Sequence, residues 1–222
     1  MDSESMVPAA PAVKGRRYDA SRRRAQAERT RARVLDVAER MLLADGYAAT
    51  GLAAIANAAG VSVELIYKTF GGKAGLVREI HRRGLLGQGP VPAPDRSDAM
   101  AATAVDARAL LREWSRLATE VAPRVLPIML LVRSAAATDA DLAEVQGELA
   151  ELRLQRMTLN AERVTAHPGV RSDFTVAQIR DVLWTYTAPE LYDLLVLQRG
   201  WTVDRYADFL FLGMSGQLLD VT

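Results

Sequence analysis

The chain has no cysteine, which excludes disulfides, thiolate metal sites and a thiol nucleophile. That fits a reducing compartment, so a cytoplasmic location is expected. No run of about 20 apolar residues is present, and no membrane span is expected. Met1 to Ala12 lacks the charged opening and apolar core of a secretory signal. Histidine is nearly absent too. His81 and His167 are the only two, and neither has metal-ligand spacing to another candidate, so no metal and no cofactor are expected. There is no Gly-x-Ser-x-Gly. The region around Gly72-Lys73 matches a phosphate loop only superficially. Tyr67 stands where the leading glycine belongs, and Ala74 where Ser or Thr would bind magnesium. The expectation is that the protein is not an enzyme.

What is present is apolar residues, arginine and alanine. Half of the 222 residues are hydrophobic, enough for a real core. The net charge of +1 hides an asymmetry. Residues 1–86 carry 15 Lys/Arg against 9 Asp/Glu, a net of +6. Residues 87–222 carry 13 against 18, a net of −5. A basic first part joined to an acidic second part suggests that only the first meets a polyanion.

Residues 1–26 read as a flexible basic arm, with Pro8, Pro11 and Gly15 and no periodic apolar face. From Thr30 a helical stripe begins, with Val34, Leu35, Ala38, Met41 and Leu42, and Asp45-Gly46 ends it. Thr50 is placed to cap a short helix with Leu52, Ile55 and Ala56 inward. Gly60 breaks that helix, and Ser62 is placed to cap a second. Gly71-Gly72 breaks again, and Lys73 opens a helix to about Leu86. Residues 87–96, GQGPVPAPDR, read as a linker between a head at 27–86 and a body at 97–222. The body reads as helices over 106–121, 123–137, 138–166, 175–186, 187–199 and 203–219, with no credible strand. The fold class is all-α, a three-helix helix-turn-helix head joined to a larger helical body.

The stretch Thr50 to Leu76 carries the function. Two helices of roughly eight residues are unstable alone and need the stripe at 34–42 behind them. Ile66 and Phe70 share the inner face of the second helix, while Val63, Glu64, Tyr67 and Lys68 share the outer one. A helix anchored on one face and displaying an acid, a phenol and an ammonium on the other suits a DNA major groove. Lys68 can reach a phosphate or guanine, Glu64 a cytosine amino group, and Val63 a thymine methyl. Tyr67 is better suited to a phosphate, as are Thr50 and Ser62 at helix starts. Lys73 opens a helix, an unfavourable place for a cation, which a phosphate contact would explain. The candidate DNA-contact set is Thr50, Ser62, Val63, Glu64, Tyr67, Lys68, Thr69 and Lys73. A membrane-surface helix is disfavoured because Asp36 and Glu39 interrupt the basic face.

Thr30 to Ile80 resembles the TetR-type transcriptional regulators. The matching residues are Gly46-Tyr47, Thr50, Ile55-Ala56, Ala59-Gly60-Val61-Ser62, Ile66-Tyr67, Phe70 and Lys73. The later DVLWTYTAPELYDLLVLQRGW and Arg205-Tyr206 resemble C-terminal domains of actinobacterial members less specifically. Glu64 departs from the pattern, because family members often carry glycine there. The resemblance implies a homodimer that binds a double-stranded DNA operator. It also implies a repressor released when a small ligand moves the helix at 73–86. A ligand-independent regulator, or an activator of the same fold, is the alternative. Tyr206, Phe209, Leu210, Phe211, Leu212 and Met214 leave the last helix apolar nearly all round. The helices at 175–186 and 203–219 are therefore expected to form the dimer interface. Trp114, Met129, Arg133, Met157, Trp184 and Tyr186 are candidates to line a cavity for a small apolar effector.

Overall fold

Val34, Leu35, Ala38 and Leu42 are all buried, which explains why the first helix forms and where it packs. The computed structural model describes residues 14–220. Helix α1 runs Lys14–Asp45, and its 32 residues span about 48 Å. The irregular arm expected over 1–26 is corrected for residues 14–26, which are helical; residues 1–13 lie outside the described residues. No apolar stripe marks these early turns. They extend an already nucleated helix, and Arg24 pairs with Glu28 one turn on.

Helices α2 (Leu52–Ala59), α3 (Val63–Phe70) and α4 (Lys73–Gly84) follow through tight turns. Gly60 and Gly71 adopt the left-handed conformation, with φ of 62° and 77°, and so end α2 and α3. The body holds α5 (Ala93–Thr103), α6 (Ala107–Ala135), α7 (Ala140–Thr165), α8 (Val176–Tyr186), α9 (Pro189–Tyr192) and α10 (Val203–Leu218). A π-helical turn at Asp193–Gln198 continues α9. Among the described residues there is no strand, only an isolated antiparallel bridge between Val170 and Leu219.

Two helices were expected over 106–137, and one is found. Pro123 and Pro127 lie inside α6. Each removes a backbone donor, yet Val121, Ala122, Val125 and Ile128 around them are buried. Tertiary packing overrides the local penalty here. Asp139 caps α7 by accepting from the Leu142 amide at 3.0 Å, and the Thr187 hydroxyl donates back to the Leu183 carbonyl at 2.8 Å.

Three apolar clusters result, two large ones and a small one around Leu117, Val121 and Val125. The first joins α1 to α4 with Ile128 and Val132 of α6 and Leu142, Val145 and Leu149 of α7. The second lies among α5 to α10, around Leu110, Leu111, Ile179, Tyr206 and Leu210. The first core therefore crosses the 87–96 segment and ties the head to the body. That segment is itself pinned. Glu120 accepts from the Gln88 amide at 2.9 Å and from Arg96 at 2.8 Å. Arg78 of α4 adds a forked bond to Glu148 of α7, at 2.6 and 3.0 Å.

His81 lies in α4, where burial pushes its pKa down from 6.5 to about 4. The folded state keeps it neutral, while the unfolded chain protonates it below 6.5. Its contribution is therefore complete above that pH and is lost as pH falls toward 4. The expected penalty reaches at most about 3 kcal/mol. Urea unfolding between pH 7 and 4 checks this. His81→Gln should flatten the acid-side fall, and an unchanged slope would remove His81 from the account.

Candidate nucleic-acid interface

Helix α3 is too short to persist alone, and three features hold it. Ile66 is fully buried in the first core. The Ser62 hydroxyl accepts the Leu65 amide at 3.2 Å, as expected of an N-cap. At the far end, Arg31 of α1 lies 4.8 Å from the centre of the Phe70 ring. It also donates to the Thr69 carbonyl at 3.5 Å and pairs with Glu79 of α4 at 2.8 Å. Arg31 thus joins three helices. Sequence reasoning missed it because its partners lie 38 to 48 residues away.

The outward face carries Glu64, Tyr67 and Lys68, all exposed. Tyr67 is 57% exposed, and its ring lies over the backbone of Gly72, where a side chain would crowd it. Its own amide and the Ser62 hydroxyl hold the Glu64 carboxyl below the usual carboxylate range. An acid in the first turn of a helix is also favoured by the dipole, so Glu64 already has a partner within α3. Val63 is only partly exposed and packs on the first core. Leu65, absent from the expected set, is 39% exposed and adds an apolar group to the same surface.

Two residues of the expected contact set are engaged inside the chain. Thr50 is buried, and its hydroxyl donates to the Gly46 carbonyl at 2.7 Å. The residue capping α2 is Gly51, with no side-chain bond. Thr50 therefore closes the turn after α1, and its hydroxyl does not face outward. Lys73 Nζ donates to the carbonyls of Tyr47 at 2.7 Å and Thr50 at 3.0 Å, and it sits 3.9 Å from the Tyr47 ring centre. A cation at a helix start is explained by these internal acceptors, without a phosphate.

Residues 34–80, from the buried stripe of α1 to the middle of α4, match the family model for bacterial regulatory proteins of the tetR family. The head is therefore a DNA-binding domain of the TetR type, with α2 and α3 as its helix-turn-helix. No curated protein matches the sequence significantly. Solved TetR-like structures share the whole fold. NalD, the secondary repressor of the MexAB-OprM multidrug efflux pump in Pseudomonas aeruginosa, is 23% identical, with a TM-score of 0.66, over 89% of this chain and 99% of its own. A Saccharomonospora viridis protein solved with choline is 20% identical, with a TM-score of 0.63, over 88% of this chain and 100% of its own. SmeT in complex with triclosan is 20% identical, with a TM-score of 0.66, over 86% and 92%. At these identities the likeness speaks for fold alone.

The residues expected to line one cavity in the body are not brought together. Trp114 is buried in the second core and donates to the Ser97 carbonyl at 3.3 Å. Met157 is core as well. The Tyr186 hydroxyl accepts from Gln217 at 2.8 Å, and its ring packs on Phe209. Met129 and Trp184 do share a cleft of about 160 Å³, with Val132, Gln146, Leu149, Ala150, Arg153, Pro189 and Glu190. Arg133 reaches it only through its ion pair with Glu190. Six positions chosen for chemical character scatter because neighbours in space come from α6, α7, α8 and α9, and sequence spacing does not show which turns face each other. Arg153, the one cationic residue among the cleft's lining, was missed for that reason.

Proposed function

We propose that the chain is an operator-binding repressor that acts as a homodimer and is released by a small molecule seated in the α6–α9 cleft. The observation that carries the DNA reading is the face of α3. Glu64, Tyr67 and Lys68 stand exposed on a helix whose other side is locked by Ile66. Ser62 and Thr69 flank that face, and Leu65 adds an apolar contact for base edges. Titration by fluorescence anisotropy on the DNA upstream of its own gene, against random duplex, tests it. The expected result is preference for the upstream DNA with a marked salt slope. Equal affinity for both duplexes would overturn sequence specificity. Lys68→Ala should weaken binding to all sequences and lower the salt slope by about 1 if Lys68 meets phosphate. If it reads a guanine, discrimination at one base pair should fall by about 1–3 kcal/mol instead.

For the dimer, α10 supports a narrower surface than its composition suggested. Tyr206, Leu210, Phe211 and Met214 are buried within the chain. Leu212 remains 66% exposed, and Gly216 has open space around it. Gly213, by contrast, lets α10 approach Tyr186 of α8 within the same chain. The proposed contact is therefore the strip of Leu212 and Gly216 beside α8. Leu212→Glu should raise the dimer dissociation constant about tenfold or more by sedimentation equilibrium. A variant that dimerises like wild type would move the interface elsewhere.

The cleft supports the effector reading by its position. Its α7 wall, Gln146 to Arg153, also carries Glu148, which grips Arg78 of α4. A ligand that shifts α7 therefore acts on the helix directly after the recognition helix. For this to release the operator, the ligand must bind the released state more tightly.

A further inference from the structure

Arg153 is an unusual group for the wall of an apolar cleft. Its guanidinium lies 3.3 Å from the centre of the Trp184 ring. Nη1 donates to the Trp184 carbonyl at 2.7 Å and to the Thr187 hydroxyl at 3.2 Å. Nε is buried and has no acceptor. Among the described residues no carboxylate pairs with it, although thirteen ion pairs form elsewhere. Desolvation alone pushes its pKa down to about 10, so the group stays charged at neutral pH without an anion nearby. Buried guanidinium groups ordinarily have an anion, and an unpaired buried donor is destabilising.

The other polar groups of the cleft do not supply that anion. Glu190 lines the same cleft but is paired with Arg133 at its exposed rim. Gln146 is uncharged. The two arginines and one glutamate leave one positive charge in excess. The rest of the lining is Met129, Val132, Leu149, Ala150, Trp184 and Pro189, which suits an apolar body.

We propose that the α6–α9 cleft selects a small organic monoanion, its carboxylate held by Arg153 and its apolar body laid along Trp184 and Met129. The proposal rests on the effector reading above and names the class of molecule that reading requires. A guanidinium is shaped for a carboxylate, and an apolar slot of about 160 Å³ leaves room for a short chain or a single ring behind it. A neutral ligand would cover Arg153 and leave its charge without a counter-ion, and a cationic one would repel it.

The test uses the full chain and four probe acids, benzoate, phenylacetate, hexanoate and octanoate, each beside its neutral amide. Calorimetric titration should show at least one acid binding about tenfold or more tighter than its amide. Arg153→Gln should abolish that preference, and Arg153→Lys, which keeps the charge but not the fork, should retain part of it. Thermal unfolding of both variants confirms that they fold, and the lysine variant keeps the test valid if the glutamine variant does not. Amides binding as well as acids, acid preference surviving in Arg153→Gln, or no acid binding at millimolar concentration would each overturn the proposal. Operator release separates the two readings. Acids that bind through Arg153 but leave the operator complex intact would overturn the effector role and keep the anion site. Amides that release the operator as well as acids would do the reverse.

Discussion

Gly75→Ala should remove measurable operator binding while leaving the body of the protein folded. Gly75 is the third residue of α4, and a Cβ at that position would overlap the backbone carbonyl of Phe70, the last residue of α3. The obstacle is main chain, so no rotamer change relieves it. Either the end of α3 moves or the start of α4 does, and either way the exposed face of Tyr67 and Lys68 is displaced relative to the helix behind it. Overpacking of this kind costs about 1–3 kcal/mol, and more where backbone must yield. A recognition helix misplaced by about 1 Å no longer meets base edges and phosphates together, and hydrogen bonds in the groove tolerate little displacement. Gly89→Ala is the control, since nothing lies near that position and its φ is ordinary. The pair is read by anisotropy and by thermal unfolding. Wild-type affinity in Gly75→Ala would show that the α3–α4 corner is softer than its packing implies.

Lys73→Met gives the second large effect, and its pattern separates two roles. As an internal tie, Lys73 satisfies the Tyr47 and Thr50 carbonyls and lies on the Tyr47 ring. Burial lowers its pKa, opposed by the charge of Asp139. Methionine keeps the aliphatic stem and removes the three-way contact. The expected loss is about 1–3 kcal/mol of stability, from charge-assisted hydrogen bonds and the ring contact. Operator affinity should fall with it, because the turn at Tyr47–Thr50 and the start of α4 are no longer fixed to each other. The salt slope should stay as in wild type. A phosphate contact predicts the opposite, with unchanged stability and a slope lower by about 1.

These two residues mark where the sequence is legible and where it is not. Ile66, Ser62 and the glycines at 60 and 71 could be read directly, because a helical period, a cap and a left-handed turn are local properties of a few adjacent residues. Glu64, Tyr67 and Lys68 followed from that period as the opposite face. Lys73 and Thr50 were visible as donors, but their acceptors lie elsewhere in the chain, at Tyr47 for the one and at Met41 and Gly46 for the other. A missing partner was read as a missing ligand. Gly75 passed as an ordinary helix residue, since only the approach of α3 and α4 makes its lack of a side chain necessary. Pro123, read locally, marks the start of a new helix, because propensity is local and the burial that overrules it is not. The cleft was least legible of all, because it takes its residues from four different helices.

Helix α7 contributes to both ends of the molecule. One side of it helps form the cleft with Leu149 and Arg153, and Glu148 beside them holds α4 through Arg78. Binding free energies coupled through one shared element are symmetric. Whatever factor a molecule in the cleft takes from the affinity for DNA, the operator takes from the affinity for that molecule. Calorimetry on the free protein would therefore report the tighter of two constants, and the same titration on the DNA complex the weaker. The ratio of the two measures the transmission directly, without any assay of transcription.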